Sequence, residues 1–249
     1  MKIFVTGVSS GIGAALAELL ILHGHEVWGV ARRGPLMEHL AEKNHSSRFY
    51  CGVADVRIKD DLLRVQGLMH ESEFIPDAIS LNAGCYIPDL VHGVYIPEAA
   101  ETVWQVNLNG VLNTLAVFLP GMCARGVGQC LVVSSLAAFR PDPSSTAYPA
   151  SKAAVSVVFR SLRLSFANSG ILFKTIYLGP VATLALPHYD PQMKTWPVVS
   201  ALQAAEAITA ALETLSEEYY FPGLLSAVYR AMLLIPDRWF ELLVRSFRR

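Results

Sequence analysis

Residues 2–13 read Lys-Ile-Phe-Val-Thr-Gly-Val-Ser-Ser-Gly-Ile-Gly. An apolar run closes at Thr6, glycines stand at positions 7, 11 and 13, and a helical pattern of apolar residues continues from Ile12 to His23. That order spells a buried strand, a tight turn and a helix. Gly7 lets the chain turn sharply at the strand end, Gly11 lets backbone approach a pyrophosphate, and Gly13 lets the helix lie close on the sheet. The first N–H groups of the helix and the positive end of its dipole suit phosphate. Thr6, Gly7, Ser9, Ser10, Gly11, Ile12 and Gly13 are therefore candidate phosphate-loop residues. Glycine-rich turns also serve as plain loops; the strand before and the helix after give this one its meaning.

Outward from this stretch, strand and helix patterns alternate. Strands are expected at Glu26–Ala31, Arg48–Ala54, Asp77–Leu81, Gln129–Ser134 and Ile171–Leu178. Helices are expected at Pro35–Lys43, Lys59–His70, from about Glu98 to Leu119 or beyond, and at Tyr148–Ala167. The strands are continuous apolar runs, which suits a parallel sheet covered on both faces. The expectation is an α/β, doubly wound, Rossmann-type parallel sheet. Right-handed crossovers bring the ends of the first, fourth and fifth strands together. With no linker or repeat in view, residues 1–249 read as one domain with extra C-terminal helices over 224–249.

Of the 249 residues, 53% are hydrophobic and 16% charged, which excludes disorder for most of the chain. The net charge of −1 does not suit a nucleic-acid binder. Cys51, Cys85, Cys123 and Cys130 form no CxxC pair and no zinc spacing, so no metal is expected and the thiols read as reduced, in a cytoplasmic protein. No signal peptide is read at the N-terminus. No apolar stretch reaches the roughly 18 residues of a membrane span.

The spacing TGxxxGxG resembles the short-chain dehydrogenase/reductase family, in its branch of roughly 250-residue subunits. The likeness runs from Lys2 to about Thr183 and recurs at five places. Asn82-Ala83-Gly84 closes the fourth strand like the family's NAG motif, where small residues let backbone run beside the cofactor ribose. Asp55-Val56 looks like its adenine contact, although an Asp there also suits a helix cap. Tyr148-Pro149-Ala150-Ser151-Lys152 is its YxxxK motif, with Ser135 placed 13 residues earlier. Asn107 resembles its fourth catalytic residue; a mid-helix Asn also serves as a surface or kink residue. Gly179, Val181 and Thr183 match the loop after the sixth strand, with Leu178 where Pro is usual.

Residues four apart share a helix face, so the Tyr148 phenol and Lys152 ammonium can meet, and the positive charge is expected to lower the phenol pKa. The resemblance implies hydride transfer between a nicotinamide and a carbonyl or alcohol carbon. Tyr148 would exchange the proton, Lys152 tune it and bind ribose, Ser135 hold the reacting oxygen, and Asn107 hold a water. Ser134 reads as structural. The second strand ends Gly29-Val30-Ala31-Arg32-Arg33, with no carboxylate to grip ribose hydroxyls. Arg32 and Arg33 stand where a 2′-phosphate would sit, which favours NADP(H) over NAD(H); a solvated arginine pair is the plainer alternative. An Arg–phosphate bond contributes about 1.5–3 kcal/mol.

Leu184–Ser200 is expected to form a lid lined by His188, Tyr189, Met193 and Trp196, suiting a partly hydrophobic small molecule. At the C-terminus, Arg238, Glu241, Arg245 and Arg248 share one helical face, and Trp239, Phe240, Leu243, Val244 and Phe247 the other. Packing on the domain or on a second subunit of a homo-oligomer, peripheral membrane contact through 237–249, and a cap over the active site all fit. A nucleotide-binding regulator or membrane-associated scaffold on the same fold is the rival to the enzyme.

Overall fold

The computed structural model describes residues 1–37, 48–183 and 198–246, with side chains to residue 242. Seven parallel strands form its sheet: β1 (Lys2–Thr6), β2 (Glu26–Ala31), β3 (Phe49–Val53), β4 (Ala78–Leu81), β7 (Gly128–Ser135), β8 (Ile171–Leu178) and β11 (Glu218–Phe221). Their spatial order is β11-β8-β7-β4-β1-β2-β3. Between β4 and β7 lies a two-stranded ladder of β5 (Leu90–Val91) and β6 (Val94–Tyr95), and β9 (Val181–Ala182) pairs with β10 (Val199–Ser200). The strand order reverses between β1 and β4, and crevices at such points receive ligands in open α/β sheets.

Apolar residues cover both faces, as the unbroken strand composition requires. On one face Leu16 and Leu20 of α1 (Gly11–Leu22) pack with Ala204 and Ile208 of α6 (Ala201–Glu213) over Ile3, Val5 and Leu131. On the other, Val65 of α2 (Lys59–Glu71), Leu115 and Phe118 of α4 (Gly110–Arg125) and Phe159 of α5 (Ala147–Ser165) pack on Phe4, Ile79 and Val132. Lys174 is buried on β8, and its ammonium donates to the carbonyls of Ala211, Leu212 and Thr214, capping the end of α6.

The structure extends the expected six strands to seven. β11 is short and half-buried along its length, so it lacks the apolar run that betrays the others. α6 was also not anticipated, although Ser200 and Gln203 make the capping box at its start. The Glu98–Leu119 helix becomes α3 (Pro97–Trp104), a π-helical turn (Gln105–Asn109) and α4 in continuous succession. Contrary to the expectation, residues 97–125 form a helical stretch long and apolar enough to cross a membrane by length and composition, a measure that buried core helices also meet. Val103, Val111, Leu115, Phe118 and Met122 are nevertheless buried, as in a core helix. Of the Pro35–Lys43 helix, residues 34–37 are helical and 38–43 lie outside the described residues.

At the C-terminus, α7 (Gly223–Met232) and α8 (Asp237–Ser246) form the expected helical extension. Leu225 of α7 is buried against Leu136 and Tyr177.

Candidate functional site

The strand ends at the reversal converge through Thr6. Its hydroxyl accepts from the amides of Asn82 and Ala83, each at 3.0 Å, and donates to the Ser80 carbonyl at 3.4 Å. Asn82 returns a bond from Nδ2 to the Thr6 carbonyl at 3.0 Å. The glycines then do what their spacing implies. Gly7 has φ +81°, and a Cβ there would stand 2.9 Å from the Ala83 Cα. At Gly13 a Cβ would meet the Gly7 carbonyl oxygen at 2.2 Å. Gly11, with φ +58°, faces the Thr183 side chain, so Thr183 borders the phosphate loop.

The N-cap residue Ser10 makes no side-chain cap on α1. Its hydroxyl instead accepts from Arg33 Nη2 at 2.6 Å, and Ser9 Oγ accepts from the same nitrogen at 2.9 Å. Arg33 thus reaches from the end of β2 onto the phosphate loop, while Arg32 is exposed beside it. This glycine cradle and uncapped helix start fit the pyrophosphate of a dinucleotide.

Asp55 pairs with the Arg57 guanidinium, Nη2 to Oδ2, at 2.6 Å. Burial pushes its carboxyl up, but hydrogen bonds from Arg57 outweigh this and hold it below the ordinary carboxylate value. It caps no helix: α2 starts after Ile58 without a side-chain cap. Val56 is buried against Gly110, where a Cβ would stand 2.6 Å from the valine Cγ2.

Ser135, Tyr148 and Lys152 come together. Ser135 ends β7, and its Oγ accepts from the Ala137 amide at 3.1 Å, opening the 3₁₀ turn Leu136–Phe139. Tyr148 and Ser135 share a side-chain hydrogen bond. Lys152 Nζ donates to the Val133 carbonyl at 2.9 Å and lies 5.9 Å from the centroid of the Tyr148 ring. The lysine is 6% exposed, and burial brings its pKa down to about 8. Ser134 is buried and donates to the Lys152 carbonyl at 3.0 Å, pinning α5 to β7.

One expectation needs correction here. Burial holds the Tyr148 phenol above its ordinary value, and the opposing influence is the Ser135 hydrogen bond. Sharing a helix face with Lys152 does not bring it below the ordinary value, because burial raises it and the Asp142 charge adds to the rise. Asn107 is 1% exposed in the π-helical turn, and its side chain is hydrogen-bonded to neighbouring segments. Its Oδ1 accepts from the Cys85 amide at 2.8 Å, and its Nδ2 donates to the Cys85 carbonyl at 2.9 Å and to Ser151 Oγ at 3.2 Å. It ties the segment after β4 to α5. Gly84 packs between Asn107 and Lys152, with its ideal Cβ position 3.3 Å from Asn107 Oδ1.

A neighbouring group had no signal in the sequence. The Tyr86 ring meets Tyr148 edge-on, with centroids 5.1 Å apart. Its hydroxyl lies 2.8 Å from Ser144 Oγ and 3.4 Å from Asp142 Oδ2. The Asp142 charge pushes both phenols upward, after burial, and Tyr86 reaches about 12. Cys85, Ile87 and Trp104 add an apolar wall.

Beyond β8, Gly179 donates its amide to the Phe221 carbonyl, and Val181 is buried in β9. Of the expected lid over 184–200, only residues 198–200 are described. Val199 and Ser200 belong to the β9–β10 ladder and the start of α6, so its last residues are framework. Residues 184–197, with His188, Tyr189, Met193 and Trp196, lie outside the described residues. Among the described residues no cluster of three His, Cys, Asp or Glu side chains could hold a metal.

A doubly wound sheet with a glycine phosphate loop and a Ser–Tyr–Lys group at its strand ends defines a nicotinamide-nucleotide oxidoreductase scaffold. The family profile described as short chain dehydrogenase matches residues 1–194, and the chain belongs to that family. An uncharacterized oxidoreductase of Listeria monocytogenes is 32% identical over 182 residues, covering 72% of this chain and 73% of that one. Glycine betaine reductase of Emericella nidulans is 37% identical over 185 residues; this chain spans only 14% of its length. The closed form of serine dehydrogenase complexed with NADP+ superposes with a TM-score of 0.82 at 21% identity, covering 89% of this chain and 94% of the other. A short chain dehydrogenase from Burkholderia cenocepacia in complex with NADP gives 0.82 at 24%, covering 97% and 96%.

Proposed function

We propose that this protein is an NADP(H)-dependent oxidoreductase that interconverts a carbonyl and a secondary alcohol on a partly hydrophobic small molecule. The observation that carries the cofactor choice is Arg33. Its guanidinium rests on the Ser9 and Ser10 hydroxyls just past β2, whose closing residues Gly29-Val30-Ala31 and the following Arg32-Arg33 offer no carboxylate. A 2′-phosphate would meet that cation where a bare ribose would meet no acceptor.

The bound nicotinamide supplies or accepts the hydride. The chain's own residues handle the rest. Thr6, Gly7, Gly11, Ile12 and Gly13 shape the phosphate cradle, and Asn82, Ala83, Gly84, Gly179, Val181 and Thr183 border it, with Asp55 and Val56 on the adenine side. Tyr148 gives its phenolic proton to the substrate oxygen in reduction and takes it back in oxidation. Ser135 donates a hydrogen bond to the same oxygen. A phenol held high by burial is a poor base near neutrality, so the protonated form suited to reduction dominates. Lys152 supplies positive charge beneath the ring, and Asn107 positions Lys152 through Ser151 and Cys85. The wall of Cys85, Ile87 and Trp104 favours an apolar substrate flank. Family members are often oligomeric, and the apolar side chains of Leu112, Leu119, Leu162 and Phe166 along α4 and α5 offer a face for a second copy.

Titration with NADPH and NADH, followed by nicotinamide fluorescence, tests this reading in wild type and in the double variant Arg32→Ala/Arg33→Ala. NADPH affinity should fall by roughly 10- to 150-fold, matching about 1.5–3 kcal/mol, with NADH little changed. Absence of binding by either nucleotide defeats the proposal. Binding then leads to a screen of carbonyl compounds with Tyr148→Phe as the inactive control.

A further inference from the structure

We propose that the outer face of the C-terminal helix pair docks on the surface of a bilayer containing anionic lipid. The argument begins with Arg140, which immediately follows the turn opened by Ser135. Its side chain is 7% exposed, pairs with Asp237 Oδ1 at 2.9 Å and donates to the Ile235 carbonyl at 2.7 Å and to that of Met232. The Phe240 ring lies over the guanidinium with its centroid at 4.6 Å. One buried cation therefore grips the end of α7, the connecting turn and the first turn of α8. The pair is stapled to the body of the domain and is not free to swing and cover its outer side chains.

Those outer side chains are large and apolar. Leu224 is 85% exposed, Leu234 86%, Trp239 66%, and Leu233 and Leu242 each 50%. On α8, Phe240 turns inward while Trp239 and Leu242 face solvent, so the helix presents an apolar stripe away from the core it is fixed to. A packing role alone needs only the inner stripe.

Charge selects the occupant. Residues 224–249 carry Arg230, Arg238, Arg245, Arg248 and Arg249 against Asp237 and Glu241, a net of +3 in a chain whose net charge is −1. Asp237 is already neutralised by Arg140. Aromatic and leucine side chains interleaved with arginines fit the boundary between acyl chains and anionic headgroups. A second copy fits worse: a two-fold contact would bring two segments of net charge +3 together.

The test is flotation of the full-length protein with vesicles of phosphatidylcholine alone or mixed with phosphatidylglycerol, alongside size-exclusion chromatography. Wild type should float with the mixed vesicles, less with the neutral ones, and less again at high salt. The variant Leu234→Asp/Trp239→Ser, altered only at exposed positions, should lose about tenfold or more of that partitioning while keeping wild-type nucleotide binding and oligomeric size. The proposal falls if wild type stays unbound with both vesicles, or if the variant floats equally well. It also falls if the variant dissociates a wild-type oligomer, which would assign the face to a second copy.

Discussion

Replacing Gly13 by Ala gives a sharp test of the cradle. The new Cβ would stand 2.2 Å from the Gly7 carbonyl oxygen, 2.6 Å from Asn82 Nδ2 and 2.8 Å from the Gly7 carbonyl carbon. Unstrained contacts between carbon and its neighbours lie near 3.5 Å, so α1 and the β1 turn must part by about 1 Å. The obstruction is backbone, which cannot rotate away. Overpacking of this kind costs about 1–3 kcal/mol. Displacing Asn82 from the Thr6 carbonyl adds about 1 kcal/mol. A loss of about 2–4 kcal/mol corresponds, for a chain of this length, to a fall in Tm of roughly 5–15 °C. Gly67→Ala is the matched control: it sits in α2, exposed, with nothing within 4 Å of its ideal Cβ. That change should stabilise by about 0.5–1 kcal/mol. Circular dichroism melts and urea titrations of both variants decide the matter. A Gly13→Ala protein that melts with wild type, or a Gly67→Ala protein equally destabilised, refutes the steric reasoning.

Lys152→Met should abolish turnover yet raise stability at pH 7 by about 1–3 kcal/mol, since it removes a buried cation. In wild type the lysine pKa, brought down from 10.5 to about 8, makes stability rise with pH across that interval, and urea titrations of the variant should lack this rise. Asp142→Asn removes a negative charge that pushes the Tyr148 phenol up, so the pH–rate profile in the oxidative direction should move to lower pH; an unchanged or opposite shift refutes the coupling. Glu218 accepts from Arg160, Arg163 and Tyr220, and its pKa falls from 4.5 to about 2. The stability it contributes is complete above pH 4.5 and is lost as pH falls toward 2, so Glu218→Gln should be less stable at pH 7 and lose less on acidification in denaturant titrations.

What the sequence made legible were features in which one residue type has no substitute or spacing alone fixes position. Gly7 and Gly11 need positive φ, Gly13 needs the absence of a Cβ, and Ser135, Tyr148 and Lys152 sit at intervals that strand and helix geometry convert into neighbours. The core strands were legible because burial on both faces leaves an apolar run. The rest depends on placement in space. Asp142 meets Tyr86 across 56 residues of chain, and Arg140 meets Asp237 across 97. No local pattern marks either meeting. The upward shift of Tyr148 follows from desolvation, which spacing does not report. β11 carries the polar start Glu218 because that carboxylate faces Arg160 and Arg163, so its letters resemble a loop.

β11 also bears on the order in which the chain leaves the ribosome. The strands β3, β2, β1 and β4 are complete by residue 81, and β7 and β8 by residue 178, whereas the partner that closes β8 does not begin until residue 218. Until then Ile171–Leu178, buried at seven of its eight positions in the finished fold, presents an open row of N–H and C=O groups. A long apolar edge of that kind recruits other strands. A message truncated between codons 179 and 217 would therefore yield a chain that has built most of its phosphate cradle yet carries an adhesive border, and the four residues of β11 cover that border with a shorter, half-buried edge.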